Sequence, residues 1–126
     1  MLDQIRSLFR PRTRLLFVCS QNKLRSRTAE TVFEGRAGLA VRSAGILPVA
    51  RVHVDEALVA WADRIFGMED EHVRYLEQHF PAALAGKTLV SLGIPDDYDY
   101  MQAELVALLE AKVAPHLPGA ARAGAG

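Results

Sequence analysis

The only cysteine of the chain, Cys19, and an arginine six positions on, Arg25, enclose the segment Ser20-Gln21-Asn22-Lys23-Leu24, and Ser26 follows. A thiolate is a nucleophile. A guanidinium can fork two N–H bonds onto two phosphate oxygens, which a lysine cannot do. The chemistry this pair suits is two-step phosphoryl transfer: sulfur attacks phosphorus, and water then hydrolyses a cysteinyl-phosphate. Successive loop N–H groups, the start of a following helix, the Arg25 charge and the Ser26 hydroxyl would all stabilise the sulfur anion. The same donors would hold the equatorial oxygens during transfer. No cofactor is called for, and no cluster of histidines or carboxylates has metal-ligand spacing, so a metal-free site is expected.

The leaving oxygen also needs a proton. The segment IPDDYDY supplies candidates, since a carboxylic acid at a loop tip can protonate the leaving group and then accept a proton from water. Asp96 and Asp97 compete for that role, whereas Asp99 suits the cap of the last helix better.

These groups must be brought together by elements far apart in the chain. Cys19 closes an apolar run that reads as a first strand, Thr13 to Val18, and helix-forming residues run from Ser26 to Gly38. Further strands are expected at Leu39–Arg42, Arg64–Met68 and Lys87–Leu92. Helices are expected from about Asp55, over Glu69–Phe80 and over Tyr100–Val113. Alternating strands and helices predict an α/β three-layer sandwich, a four-stranded parallel sheet in the flavodoxin-like order 2-1-3-4. Ligands of such sheets bind beyond the carboxyl ends of the strands, where a phosphate-binding loop after strand 1 and the loop after strand 4 both open. Cys19 and Asp96 can meet there.

Composition sets the outer bounds. The 126 residues suffice for one core, half of them are apolar, and the formal net charge is zero. Residues 1–12 read as a basic N-terminal segment, 13–114 as the functional domain and 115–126 as a disordered Ala/Gly-rich tail. One cysteine excludes an internal disulfide framework and a multi-cysteine zinc site. No apolar run spans a bilayer, and LDQIRSLFRPR lacks a signal-peptide core. A cytoplasmic monomer or weak dimer is expected, with neither membrane nor nucleic acid as partner, in a compartment that suits a reactive thiol.

With these residues in view, the chain resembles the low-molecular-weight protein tyrosine phosphatase family in a compact bacterial form. LFVCSQNKLRS matches the family's strand and Cys-x5-Arg-Ser loop, and RSAGI its Ser-Ala-Gly segment. ADRIFGMEDEHVRYL is similar to its Asp-x-Ile-x-x-Met-Asp/Glu stretch, and IPDDY stands where the family has Asp-Pro-Tyr. The resemblance covers about Thr13 to Val113. It implies a phosphotyrosyl protein or small phosphomonoester as substrate, Cys19 as nucleophile, Arg25 as phosphate clamp and Asp96 as general acid. Ser20, Gln21, Asn22, Lys23 and Leu24 would surround the phosphate. Asn22 and Ser26 would also hold the loop, with Ser43 behind them, and Tyr98 would wall the pocket.

The departures from the family pattern are specific. Gln21 replaces the usual loop glycine, Leu24 a second loop cysteine, Arg27 the proline after Arg-Ser, and Asp97 the proline of Asp-Pro-Tyr. The stretch ILPVAR is short and lacks the aromatic wall of larger members, which implies a shallower pocket. Two other functions use the same scaffold features. One is arsenate reduction with an external thiol, and the other is a non-catalytic phosphate-binding or regulatory module. Among the remaining residues, Lys23 faces either a substrate anion or solvent, and Arg51 suits a surface ion pair. The four histidines show no partner pattern, and Trp61 and Met68 read as core.

Overall fold

Thr13–Cys19 forms strand β1, and its alternation decides the architecture. Leu15, Phe17 and Cys19 join one hydrophobic cluster and Leu16 and Val18 another, all of them buried. A strand buried on both faces needs layers on both sides. The computed structural model, which describes residues 11–119, supplies them. Helices α1 (Arg25–Phe33) and α5 (Ala103–Val113) cover the first face. Helices α2 (Glu56–Trp61) and α3 (Asp70–His79) and the single turn α4 (Pro81–Leu84) cover the second. Phe17 stacks on Phe33 of α1 and on Phe66 of the adjacent strand, with ring centroids 5.6 and 5.1 Å away, which ties β1 to the helix above it and to one neighbouring strand.

Strands β2 (Leu39–Gly45), β3 (Arg64–Gly67) and β4 (Thr88–Ser91) complete a parallel sheet in the order β2-β1-β3-β4, as expected. Register aligns the strand ends: Cys19 pairs with Gly45, Val18 with Gly67, and Gly67 with Ser91. All four following loops therefore leave from one edge of the sheet.

Several boundaries differ from the sequence reading, each for a local reason. β2 continues to Gly45 rather than stopping at Arg42, because Ser43 and Ala44 pair with Phe17 and Val18. Helix α1 ends at Phe33 rather than Gly38, and Gly38, whose φ is positive, makes the turn into β2. Helix α5 begins at Ala103, because Met101, also at positive φ, cannot continue a right-handed helix towards Tyr100. Its cap is Gln102, not Asp99, whose own amide donates to Gln102 Oε1 at 2.9 Å. Asp55 caps α2 by accepting from the Leu58 amide at 2.8 Å.

At the C-terminal end, Ala114–His116 form a 3-10 turn and Leu117, within the expected tail, packs on the core. The expected tail beyond Gly119, and all but the last two residues of the basic N-terminal segment, lie outside the described residues. No helix among the described residues is long and apolar enough to cross a membrane.

Candidate active site

The loop between β1 and α1 owes its shape to the backbone beside it. The amides of Ile46, Leu47 and Arg51 donate to the carbonyls of Cys19, Ser20 and Gln21, each at 3.0 Å. In a trans peptide the C=O and the next N–H point opposite ways. Tying those three carbonyls outwards therefore turns the amides of Ser20, Gln21 and Asn22 inwards. The Asn22 amide donates to Cys19 Sγ at 3.2 Å. Gly45 permits this close fit, since a Cβ there would lie 2.5 Å from the Ser20 carbonyl oxygen and 2.9 Å from the Asn22 nitrogen.

Asn22 is the keystone. It is fully buried at positive φ, a left-handed conformation that asparagine tolerates better than most residues. Its Nδ2 donates to Ser26 Oγ and to Ser43 Oγ, both at 2.8 Å. Ser43 in turn donates to Glu30 Oε1 at 3.0 Å. Arg51 pairs with the same Glu30 oxygen at 3.5 Å and returns to the Asn22 carbonyl at 3.3 Å, closing a ring of contacts behind the loop. Ser26 Oγ lies 2.9 Å from Cys19 Sγ.

Arg25 is 2 % exposed and turned towards the cavity. Its Nη1 donates to the Glu69 carboxylate and, at 2.8 Å, to the Ile94 carbonyl. Nε lies 3.6 Å from Asp96 Oδ1, outside hydrogen-bond range. The Nε–Nη2 edge thus makes no hydrogen bond among the described residues.

Cys19 and Arg25 floor a cavity of about 170 Å³, with Ser20, Gln21, Lys23, Leu24 and Asp96 around it. Roomier depressions of about 630 Å³ elsewhere contain neither Cys19 nor Arg25, so chemistry and not size marks the site. Ser26, Ser43 and Asn22 sit behind the loop. Asp97 is exposed and does not line the cavity. Tyr98, read from the resemblance as a wall, is half-buried against the α1/α5 core and does not line it either. Trp61, read as core, is half-buried at the far end of the sheet with Arg42 and Arg14 over its ring, 4.2 and 5.9 Å from the centroid. Met68 is core.

Two neighbours of the loop escaped the sequence reading. Glu69 holds Arg25. His72, three residues on and fully buried, accepts from the Glu69 amide through Nδ1 at 3.0 Å, and its Nε2 lies 3.0 Å from Ser20 Oγ. Burial, and then the Arg25 charge, lower the His72 pKa from 6.5 to about 4, against the opposing pull of Glu69 and Asp96. The spacing Glu-x-x-His at a helix start is the signal that could have found this pair, because a side chain three residues into a helix can accept the capping residue's amide. Glu71 brings a third ligand-type group to Glu69 and His72. With Nδ1 accepting from an amide and Nε2 facing Ser20, however, the ring has no lone pair left for a metal.

Comparison with solved structures decides the fold. A low-molecular-weight protein tyrosine phosphatase from T. tengcongensis matches with 21% identity over 83% of this chain and 99% of that chain, at a TM-score of 0.65. Wzb of Vibrio vulnificus, solved with benzylphosphonate, matches with 24% identity over 90% and 97%, at 0.61. The YwlE arginine phosphatase of Geobacillus stearothermophilus matches with 20% identity over 79% and 85%, at 0.59. The fold is that of the low-molecular-weight protein tyrosine phosphatases. No model of a known protein family matches the chain, and no curated protein sequence does. Within the low-molecular-weight phosphatase fold, the loop after β1 is the one that carries Cys19 and Arg25 here.

Proposed function

We propose that this chain is a cysteine-dependent phosphatase that hydrolyses phosphomonoesters, phosphotyrosine among them, through a cysteinyl-phosphate. One observation carries the reading: the Cys19 sulfur lies on a cavity floor with an amide and a hydroxyl on it, beside the unoccupied edge of a buried guanidinium. In the first step the sulfur attacks phosphorus as the ester P–O bond breaks, and Asp96 gives its proton to the departing oxygen. In the second, water attacks phosphorus, Asp96 takes the water's proton, and the S–P bond breaks to return the thiolate and inorganic phosphate. Arg25 and the loop amides hold the equatorial oxygens in both steps.

No aromatic side chain lines the cavity among the described residues, so the leaving group meets Gln21, Lys23 and Leu24 and not a ring. This favours phosphomonoesters in general over strict selection of aryl esters. The test is hydrolysis of a chromogenic aryl phosphate, phosphotyrosine, phosphoserine and phosphoarginine by the intact protein and by Cys19→Ser, Asp96→Asn and Asp97→Asn. Turnover should vanish with Cys19→Ser and fall about 100-fold with Asp96→Asn, while Asp97→Asn stays near wild type. Equal mild effects of the two aspartates would refute a single acid. Phosphate binding without turnover would make the chain a binding module. Arsenate reduction would show only with an added thiol, since the chain has no second cysteine.

A further inference from the structure

We propose that His72 is a positioning residue for the anion site: its Nε2–H, fixed by the Glu69 amide at Nδ1, turns the Ser20 hydroxyl hydrogen into the cavity as a donor to the phosphoryl group. The inference rests on reading the cavity as an anion site.

A backbone amide only donates, so Nδ1, 3.0 Å from the Glu69 nitrogen, must accept and carries no hydrogen. The hydrogen of the neutral ring is therefore on Nε2, 3.0 Å from Ser20 Oγ. Ser20 Oγ receives it on a lone pair and must send its own hydrogen elsewhere. Among the described residues it makes no other hydrogen bond, and Ser20 lines the cavity. The hydroxyl is thus left as a side-chain donor beside the loop amides and Arg25, aimed by a ring that is itself fully buried.

The device requires a neutral ring, because an imidazolium would set an Nδ1 hydrogen against the Glu69 amide hydrogen. The charged groups around the ring are Arg25, which opposes protonation, and Glu69, Asp96 and Glu71, which favour it, with Glu71 Oε1 3.7 Å from Nε2. Burial and Arg25 prevail, and the ring stays neutral well below pH 6. The same turn of chain therefore serves two donors. The Glu69 carboxylate steadies Arg25, and the Glu69 amide, through His72, steadies Ser20.

Binding of inorganic phosphate by calorimetry tests this in the full chain, alongside kcat and KM on an aryl phosphate. His72→Asn retains an acceptor for the Glu69 amide but cannot reach Ser20, whereas His72→Gln can. Ser20→Ala and His72→Asn should each weaken phosphate about tenfold, the double variant no more than Ser20→Ala alone, and His72→Gln should stay near wild type. Multiplying effects in the double variant, unchanged binding in His72→Asn, or a wild type that binds no phosphate would overturn it. Nitrogen NMR of the wild-type ring is the check that needs no variant: a bare Nδ1 and a protonated Nε2 from pH 5.5 to 8 are expected, and a ring titrating near 6.5 or protonated at Nδ1 would sink the proposal. A wild type that binds phosphate without turning over ester would defeat the phosphatase reading and leave this series intact.

Discussion

The carboxylate of Glu30 dictates the direction of the Asn22 side-chain amide. A carboxylate can only accept, so the Ser43 hydrogen, 3.0 Å away, goes to Glu30. Ser43 Oγ must then accept from Asn22, which makes the contacting atom Nδ2. The same Nδ2 donates to Ser26, whose Oγ lies 2.9 Å from the Cys19 sulfur and 3.4 Å from the Ala44 carbonyl. A residue on α1 thereby reaches the nucleophile through three side chains. The buried Asn22 Oδ1 is left with no partner among the described residues, a cost of about 1–3 kcal/mol that the other bonds must offset.

Glu30→Gln should therefore lower turnover without unfolding the protein. A glutamine can donate as well as accept, so it no longer fixes the Asn22 amide. We expect kcat/KM to fall about threefold to tenfold, and Ser26→Ala to fall further, because it removes the hydroxyl that faces the sulfur. Steady-state kinetics check the order; Glu30→Gln below Ser26→Ala would be wrong for this chain of bonds.

Asn22 separates conformation from hydrogen bonding. Asn22→Ala loses both and should cost about 2–4 kcal/mol in denaturant unfolding. Asn22→Gly relieves the left-handed backbone and loses only the side-chain bonds. It should be more stable than the alanine variant by about 1 kcal/mol.

Much of this was legible from the residues. The apolar run ending at Cys19, the helix after Arg25 and the strand–helix alternation lead to the observed sheet order. What the sequence concealed were contacts that depend on register. Arg25 meets Glu69, 44 positions away, because β3 ends beside β1, with Gly67 against Val18. His72 looked like one more polar helix residue until the fold turned that first helical turn under the loop. Tyr98 packs against the α1/α5 core, a placement that the pattern Asp-Asp-Tyr does not convey. The end of β2 is set by pairing with β1, and the limits of α1 and α5 by the positive-φ residues Gly38 and Met101.

Acid should destabilise the protein through His72. Its folded pKa, about 4, lies below the unfolded 6.5, so above pH 6.5 both states are neutral and the stability is fully present. Between pH 6.5 and 4 the unfolded chain takes a proton that the folded one refuses, and stability declines. Below about 4 both are protonated and the loss is complete, about 3 kcal/mol from this group. Denaturant midpoints of wild type and His72→Asn across pH 7 to 4 read it out: the asparagine variant should lose less, and parallel curves would contradict the shift.

Lys87 provides a control remote from the cavity. Its Nζ donates to the carbonyls of Val59, Ala60 and Ala62 at 2.6–2.7 Å, closing the C-terminal end of α2. Lys87→Met should cost about 1–3 kcal/mol of stability and leave kcat/KM unchanged. A large loss of activity in the folded variant would mean that α2 is coupled to the site by a route the contacts do not suggest.

The nucleophile itself can be caught. Rapid acid quench of the protein turning over an aryl phosphate, followed by peptide mass spectrometry, should find one phosphoryl group on the peptide containing Cys19, and none in Cys19→Ser. Turnover that persists in Cys19→Ser, or a phosphoryl group trapped on any other residue, would contradict it.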